Sequence, residues 1–430
     1  MESKLKAPIP DNREAEIATA PANLPPIERL RLWLAGFLEL KIFEALRHSE
    51  YRLLWIGNVF SSMATWMDQV TRGWLIYELT NSSFQLGLVR GVQALPILLL
   101  SPIAGSTADR YSRKSQVMVA LVVDALLYGL LAVLIFARSI EPWHVYVTAV
   151  FMASVWTFQQ PSRASMVSDS VPPKSLTNAI GLNAMMFNVA RITGPAVAGL
   201  IIAGWNTGGA YAVQSVLYVL STIWTIKLRA ETRSSGGAHG HGARGEGFFQ
   251  SIVSGWKFSW QNHEVRTGLL VVAYASLFII PFNTLLPVFA RDVLGVGAKG
   301  QGLLLTSMGV GALASSVLIA SLGDRLPRGI LMIAGVGVYS MALMAIMGLC
   351  HVASHALVQT VIQAYSPREF RGRTMALFHQ THVILLAGGM IIGALASAIG
   401  AQAATALMSF IGALCLLGLY VLSPQARKIR

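Results

Sequence analysis

Charged residues are scarce in this chain. Only 12% of its 430 residues are Asp, Glu, Lys or Arg, whereas 54% are hydrophobic; a soluble domain carries about a quarter charged residues. The mean hydropathy of +0.57 is too high for a chain that hides its apolar residues in a soluble core. Apolar stretches of about 18 residues or more recur, and each can cross a hydrocarbon core of roughly 30 Å. We therefore expect an all-α polytopic membrane protein.

Sequence signals for several other classes of protein are absent. Only two cysteines occur, Cys350 and Cys415, both in apolar segments and without metal-site or disulfide spacing. No Gly-x-x-x-x-Gly-Lys-Ser/Thr sequence is present, so ATP-driven transport by this chain alone is not expected. No nucleophile and base form a set that suggests an intramembrane enzyme. We expect no catalytic activity, no metal and no cofactor.

Acidic residues are outnumbered by basic ones, 20 against 33, which gives a net charge of +13. Nucleic-acid binding would need these charges in one patch, but they are spread over loops between apolar segments. Basic residues follow spans two, four, six and eight and end the chain, whereas loops at 80–83, 204–209 and 400–402 carry almost none. The positive-inside rule places the basic loops and both termini in the cytoplasm. This predicts a multi-pass protein of the inner (plasma) membrane.

The pattern of apolar spans and charged loops divides the chain into four parts. Residues 1–50 read as a cytoplasmic tail and an interfacial helix at 30–46, and residues 51–229 as a six-span half. Residues 230–264 read as a cytoplasmic linker rich in Gly, Ser and charge, and residues 265–425 as a half of five or six spans. The spans lie near 53–79, 84–107, 115–137, 143–165, 175–203, 207–227, 267–290, 300–322, within 329–365, 373–397 and 402–423.

The two halves repeat a short motif. Residues 105–114 (GSTADRYSRK) are echoed by residues 320–328 (ASLGDRLPR), each at the cytoplasmic end of the second span in its half. Internal repeats of this kind are typical of secondary transporters.

The second half is shorter than the first. From Asp109 to Pro173 is 64 residues, but from Asp324 to Pro367 is only 43. The difference of 21 residues is about one crossing. Segment 329–365 therefore holds either one span or two shortened spans, which gives about 11 spans where 12 are expected.

The chain resembles the major facilitator superfamily of transporters. Residues 105–114 resemble its signature between spans two and three. A further likeness over residues 43–423 is to the bacterial exporter branch that includes enterobactin exporters and macrolide efflux pumps. It is carried by residues 43–55, 65–79, 187–195 and 286–294. The resemblance implies two halves that rock around a central cavity, a monomer, and export of amphipathic small molecules driven by proton entry.

The resemblance also implies a cytoplasmic gate. In such transporters the acidic residue of the signature, here Asp109, engages facing helix ends, where a carboxylate is stabilised by the helix dipole or an arginine. Arg163 is a candidate partner. The alternative is that these charges only solvate a tight turn. The gate candidates are Gly105, Asp109, Arg110, Arg113, Arg163, Asp324 and Arg325.

Two acidic residues, Asp68 and Asp124, fall near the middles of spans one and three. A carboxylate at membrane depth is costly unless it is paired or faces a wet cavity, so both are candidates for proton coupling. Arg72 lies four residues after Asp68 on the same helix face. The alternative interpretation is a structural pair that is mutually neutralised.

Span five and its neighbours supply further polar candidates. Arg191 lies in mid-span and would pair with an aspartate, bind an anionic substrate group, or form a structural pair. Gly194, Pro195 and Gly199 resemble the glycine-proline signature of antiporters, which permits close helix contact and bends the helix. Gln69, Gln159 and Asn188 are candidates for lining the cavity, with interhelical hydrogen bonds as the alternative.

We interpret the chain as a secondary active transporter for proton-coupled efflux of an amphipathic small molecule, either a drug-like compound or a siderophore. One alternative is a transport-inactive truncated membrane protein or assembly partner, which the 21-residue deficit suggests. The other is a proton-driven nutrient importer of the same fold. Protons, the small-molecule substrate and the lipid bilayer are the expected partners.

Overall fold

The computed structural model describes residues 41–228, 248–322, 358–359, 361–362, 365–367 and 371–422, which contain no strand. A 3₁₀-helix, Lys41–Arg47, comes first. The longer helices are α1 (Ser49–Thr80), α2 (Ser83–Arg110), α3 (Arg113–Phe136), α4 (Pro142–Asp169), α5 (Leu176–Gly204), α6 (Thr207–Ile226), α7 (Phe248–Gln261), α8 (His263–Tyr274), α9 (Gly297–Leu322), α10 (Arg371–Ile399) and α11 (Ala401–Leu422).

Uncharged polar residues cap three helices at one side of the bundle. Asn81 closes α1 with φ of 49°, the left-handed conformation that Asn tolerates. Ser82 begins α2 by accepting a hydrogen bond from the Gln85 amide, and Asn206 begins α6 by accepting one from the Gly209 amide, because the first amides of a helix lack partners. We call this side, marked by the turns at 81–82, 205–206 and 400, the neutral end.

Helices that can cross a membrane dominate the described part of the chain. Six stretches are long and apolar enough to do so. Helices α1 and α4 are also long, at 32 and 28 residues, which exceeds a 30 Å core at about 1.5 Å per residue. The six stretches are Ser83–Ser101, Arg113–Phe136, Pro173–Gly204, Thr207–Ile226, His263–Val293 and Ala401–Val421. The predicted all-helical membrane fold is confirmed.

The helices pack as two halves joined at two seams. In the first half, α1 lies against α5 and α6, α2 against α4, and α3 against α4 and α6. In the second half, α10 packs against α11 and against the stretch that follows α8. The seams between the halves are formed by α2 with α10 and by α5 with α9.

Glycines allow the backbones to touch at both seams. A Cβ built on Gly87 of α2 would lie 2.8 Å from the carbonyl oxygen of Gly389 and 3.0 Å from the Cα of Gly393. At the other seam, a Cβ on Gly199 of α5 would lie 2.6 Å from the carbonyl oxygen of Ala298 and 3.2 Å from the Cα of Gly302. Both of these glycine contacts lie nearer the neutral end. Small residues are what allow helices to approach this closely in a membrane.

The seventh span is interrupted, which the sequence analysis did not anticipate. After α8 the span His263–Val293 continues through π-helical turns at Ala275–Ile279 and Phe289–Val293, with a 3₁₀ turn at Ile280–Leu285 between them. Pro281 and Pro287 lie within this stretch, and proline removes a backbone donor and disrupts α-helical geometry. We call His263–Val293 the broken span.

Two predicted segments differ in detail from the structure. The linker predicted at 230–264 contains helix α7, on which Trp256 and Trp260 are about half exposed. The end of the predicted interfacial helix is a 3₁₀-helix docked on α5. The Ala45 amide donates to Asn178, and the Ser175 hydroxyl donates to Glu44, both at 2.9 Å.

The shortened segment at 329–365 falls mostly outside the described residues. Of its described positions, Val358 and Ile362 pack against Val265 and Val271 of α8. The number of spans therefore stays a prediction.

We expect Gly87→Ala to destabilise the protein, whereas Gly181→Ala should be neutral or slightly stabilising. The added methyl group at Gly87 forces two backbones apart, and such overpacking costs about 1–3 kcal/mol. At Gly181 a Cβ meets no atom within 4 Å, and Ala favours a helix over Gly by about 1 kcal/mol. Apparent melting temperatures of the purified variants in detergent test this. Equal effects at both positions would contradict close contact at the α2–α10 seam.

Candidate functional site

A buried ion pair lies within α1. Arg72 and Asp68 are separated by one helical turn, with 2.8 Å between Nη2 and Oδ2 and 2.9 Å between Nε and Oδ2. Their side chains are only 2% and 15% exposed. Arg72 Nη2 also approaches the sulfur of Met152 in α4 at 2.7 Å. The pair is therefore held between two helices of the first half.

This ion pair leaves two polar atoms without partners. Nη1 of Arg72 and Oδ1 of Asp68 are both enclosed and make no hydrogen bond within the described part of the chain. A buried polar atom without a partner costs free energy, about 1–3 kcal/mol and more for a charged group. Both groups can therefore accept a further ligand, a cation or proton on Asp68 and an acceptor on Arg72.

A second arginine lies beside the pair, on α2. Arg90 donates from Nη2 to Oε1 of Gln69 on α1 at 3.0 Å. It is partly buried, and the charges of Asp68 and Arg72 both act on it. Arg72 and Arg90 line a cleft between α1, α2 and the broken span, which contributes Asn283 and Thr284. This cleft, which we call the arginine cleft, lies between the two halves.

A second polar cluster is enclosed within the first half. Asp124 of α3 is 6% exposed, and Arg163 of α4 is the opposite charge that acts on it most strongly. No ion pair within 4.0 Å joins these two groups among the described side chains, and Arg163 Nε and Nη2 have no partner.

Three tyrosines pack together near Asp124, whose charge acts on Tyr128 and Tyr218. The ring of Tyr128 stacks on that of Tyr218 at 5.2 Å between centroids and tilts against that of Tyr211 at 5.9 Å. The Tyr218 hydroxyl lies 3.0 Å from that of Thr65. The aromatic rings thus join α3 to α6, and the hydroxyl contact joins α6 to α1.

Side-chain contacts also join the halves near the neutral end. The Tyr77 hydroxyl donates to Asp292 at the end of the broken span, and Arg291 lies 5.4 Å from the centre of the Tyr77 ring. Closer to mid-membrane, the Thr306 hydroxyl of α9 donates to the carbonyl of Ile192 in α5 at 2.8 Å.

This architecture of two helical halves, with charges enclosed at the centre of the first, agrees with the sequence comparison. Residues 41–429 match the family of transmembrane secretion effectors. The chain belongs to this family of the major facilitator superfamily. The resemblance noted in the sequence is thereby confirmed, and the family to which the chain belongs is one of membrane transporters.

Three named transporters are distantly similar to the chain. The chain is 25% identical to the multidrug efflux pump Tap of Mycobacterium tuberculosis over 76% of this chain and 81% of that one. It is 24% identical to the staphyloferrin A transporter of Staphylococcus aureus over 59% of this chain and 61% of that one. It is 23% identical to macrolide efflux protein A of Streptococcus pyogenes over 56% of this chain and 59% of that one. The last two alignments thus span about three fifths of each relative.

Solved structures share the fold of this transporter. A bacterial homolog of the human lysosomal transporter Spinster, in an inward-facing and unoccupied conformation, matches with a TM-score of 0.66 at 16% identity. It covers 89% of this chain and 96% of that one. The nucleoside transporter NupG matches with a TM-score of 0.67 at 10% identity, over 86% of this chain and 98% of that one.

The glycine-proline stretch of the transporter lies at the junction of three helices. A Cβ on Gly194 would lie 2.7 Å from the Cβ of Trp66 in α1, and a Cβ on Gly302 of α9 would lie 2.5 Å from the Pro195 carbonyl oxygen. Gly199 belongs to the seam with α9 described above. These residues permit close contact, as expected, while their antiporter role stays a prediction.

Arg191 does not pair with either aspartate among the described side chains. Its guanidinium lies 5.8 Å from the centre of the Trp66 ring, a cation–π arrangement, and its Nη2 has no partner. Asn188 is partly buried and donates to the Ala184 carbonyl of its own helix. Gln159 is buried, with Nε2 unpartnered. Gln69 contacts Arg90 and lines the arginine cleft.

Most of the predicted cytoplasmic gate lies outside the described residues. Gly105, Asp109 and Arg110 are described only as part of the α2 backbone, and Asp324 and Arg325 are not described. Arg113 forms an ion pair with Asp169 at the end of α4. The expected ion pair of Arg163 with Asp109 thus stays a prediction, whereas the positive charge of Arg163 acts on the carboxylate of Asp124.

Sequence reasoning missed Arg90 and the tyrosines. Arg90 is an arginine inside an apolar span, and the rule that marks intramembrane ionisable residues as functional applies to it as it does to Asp68. The tyrosines gave no comparable signal, because tyrosine is common near membrane interfaces. Their grouping depends on how four helices are rotated against each other.

Arg72→Met should destabilise the transporter more than the double change Asp68→Asn with Arg72→Met. The single change leaves the Asp68 carboxylate buried without its partner, which typically costs about 3–5 kcal/mol, whereas replacing both charges is often close to neutral. Melting of the purified variants in detergent distinguishes the two. A single variant as stable as the double variant would mean that the pair is not buried in the folded protein.

Proposed function

We propose that this transporter exports an amphipathic small molecule by alternating access and that proton entry drives the export. The observation that carries the proposal is the buried Asp68–Arg72 pair with its unpartnered Oδ1. A proton bound by Asp68 would remove the charge that holds Arg72. Arg72 would then be a buried cation free to bind elsewhere, so that protonation and conformation are linked.

Asp124 is the second proton-coupling candidate. Its carboxylate is buried and is acted on by the charges of Arg163, Asp68 and Arg72. A change of charge on one aspartate is therefore felt by the other. Two acids coupled in this way suit a transporter that must exchange protons for substrate.

The contacts between the halves support rocking about a central cavity. The Tyr77–Asp292 contact and the closest glycine contacts lie toward the neutral end, which we assign to the outer face of the inner membrane because its loops carry few basic residues. In the arrangement described here, the halves are joined at this face. Both chain termini would then lie in the cytoplasm.

The direction of transport is inferred from relatives. The Tap pump and macrolide efflux protein A are efflux proteins by name, which favours export over import. The chain would act as a monomer, since the two halves together enclose the cavity.

Efflux into everted membrane vesicles tests this proposal. We expect transport of at least one compound from a panel of fluorescent dyes and iron chelates, driven by an imposed proton gradient. Asp68→Asn and Asp124→Asn should abolish gradient-driven transport, because an amide cannot bind and release the proton. Glu141→Gln is the matched control, since Glu141 is exposed in the loop before α4.

The outcomes distinguish the three interpretations, which are an exporter, an importer and a transport-inactive protein. Gradient-driven movement in the opposite direction would identify an importer. Absence of transport for the whole panel by the unmodified protein would favour a transport-inactive chain. Export that persists in both aspartate variants would reject proton coupling through these groups.

Tyr77→Phe should favour separation of the halves at the outer face. The change removes the hydroxyl that donates to Asp292 and leaves the ring in place. Spin labels at Ser139 and Gln402, with both native cysteines replaced, should report a larger population of long distances. Tyr146→Phe is the control, because Tyr146 bonds to Gln85 within the first half. An identical distance distribution in the two variants would rule out a role for the Tyr77 contact in holding this face closed.

A further inference from the structure

The arginine cleft has an unusual lining for a membrane-embedded site. Its charged lining residues are Arg72 and Arg90, and no acidic residue lines it. The cleft has a volume of about 10 Å³, which is about the space that one water molecule needs. In this arrangement of the halves it therefore admits one small polar group, such as an anionic oxygen at the end of an amphipathic ligand.

The local charges do not balance. Arg72 and Arg90 carry two positive charges, and Asp68 supplies one negative charge that acts on both. One positive charge is left over. A buried charge without compensation costs several kcal/mol, and the two guanidinium groups also repel each other. An anion in the cleft would relieve both penalties.

Unpartnered polar atoms lie at this cleft. Arg72 is 2% exposed, and its Nη1 has no hydrogen-bond partner among the residues that the structure describes. Across the cleft, Oδ1 of Asn283 on the broken span is also enclosed and has no partner among them. The guanidinium group offers a donor to an anionic oxygen, and the amide oxygen accepts from a hydroxyl or N–H group of the same ligand.

The rest of the lining is apolar. Ile76 on α1, Leu86 and Val89 on α2 and Pro287 on the broken span complete the cleft. This surface suits hydrocarbon or an aromatic ring adjoining the anionic group. Because α1 and α2 belong to one half and the broken span to the other, a ligand here contacts both halves.

We propose that the arginine cleft binds the anionic group, such as a carboxylate, of an amphipathic organic substrate, with Arg90 and Arg72 as the residues that select for negative charge. This inference rests on the proposed transport function for its biological meaning but not for its test. Binding of an organic anion is measurable whether or not the protein pumps it.

Equilibrium binding to the purified full-length chain tests the site. The probes are fluorescein, an anionic xanthene, and the methyl ester of rhodamine, a cationic xanthene of similar size, each followed by fluorescence anisotropy. We expect fluorescein to bind and to be displaced by benzoate but not by benzylamine. Arg90→Gln should weaken fluorescein binding by about tenfold or more, the usual effect of losing a charged hydrogen bond, and Arg90→Lys should weaken it less.

Two controls keep the result specific. Arg138→Gln removes an exposed arginine in the loop after α3 and should leave fluorescein binding unchanged. The melting temperature of each variant, measured in the same detergent, separates loss of a site from loss of folding. Arg90→Gln is preferred over changes at Arg72, because Arg90 has only Gln69 as its hydrogen-bond partner among the described side chains.

Each outcome decides the proposal. Fluorescein binding that depends on Arg90 supports it. Equal binding of the two xanthenes, insensitivity to Arg90→Gln, or no binding of either fluorescein or benzoate overturns it. Displacement of fluorescein by chloride at constant ionic strength, without displacement by benzoate, would assign the cleft to an inorganic ion and also overturn it.

Transport assays then separate this inference from the proposed function. Arg90-dependent fluorescein binding without gradient-driven export would retain the anion site and reject the proton-coupled pump. Export of the cationic rhodamine ester alone, unaffected by Arg90→Gln, would retain the pump and reject the anion site.

Discussion

Hydrocarbon offers no hydrogen-bond partner to a backbone amide, and the rest of this structure depends on that constraint. It forces the chain into helices and leaves polar side chains few places to lie except between them. Where the backbone does depart from an α-helix, in the broken span, it does so against α10 and other protein rather than in lipid. The same constraint concentrates Asp68, Arg72 and Asp124 inside the first half, because each must find a partner within the protein.

The two halves contribute unequally to the chemistry. Among the described residues, the first half supplies the buried acids, the arginines of the cleft and the tyrosine cluster. The second half supplies the broken span and helices α9 and α10, whose small residues and polar amide groups face the first half. The arginine cleft is where the two contributions meet.

The sequence was sufficient to predict the fold and part of the candidate site. Hydropathy and basic loops located the helices to within a few residues in the described regions, because long apolar runs have no other stable conformation in a bilayer. The Asp68–Arg72 pair followed from a spacing of four residues on one helix.

Contacts between helices were harder to foresee. The effect of Arg163 on Asp124, the Arg90–Gln69 hydrogen bond and the lining of the cleft all depend on how the helices are rotated. The interruption of the seventh span was signalled by two prolines, but neither its π-helical turns nor its place at the cleft follows from proline alone.

The close approach of Gly87 to Gly393 has a mechanical consequence. A contact made by interlocked side chains must change rotamers before it can open, and each change adds a barrier. Two glycine backbones present surfaces with nothing to unlock, so they can part and meet again as rigid bodies. In the proposed rocking movement, the seam would exclude lipid and water when closed and would add little to the barrier for separating the halves.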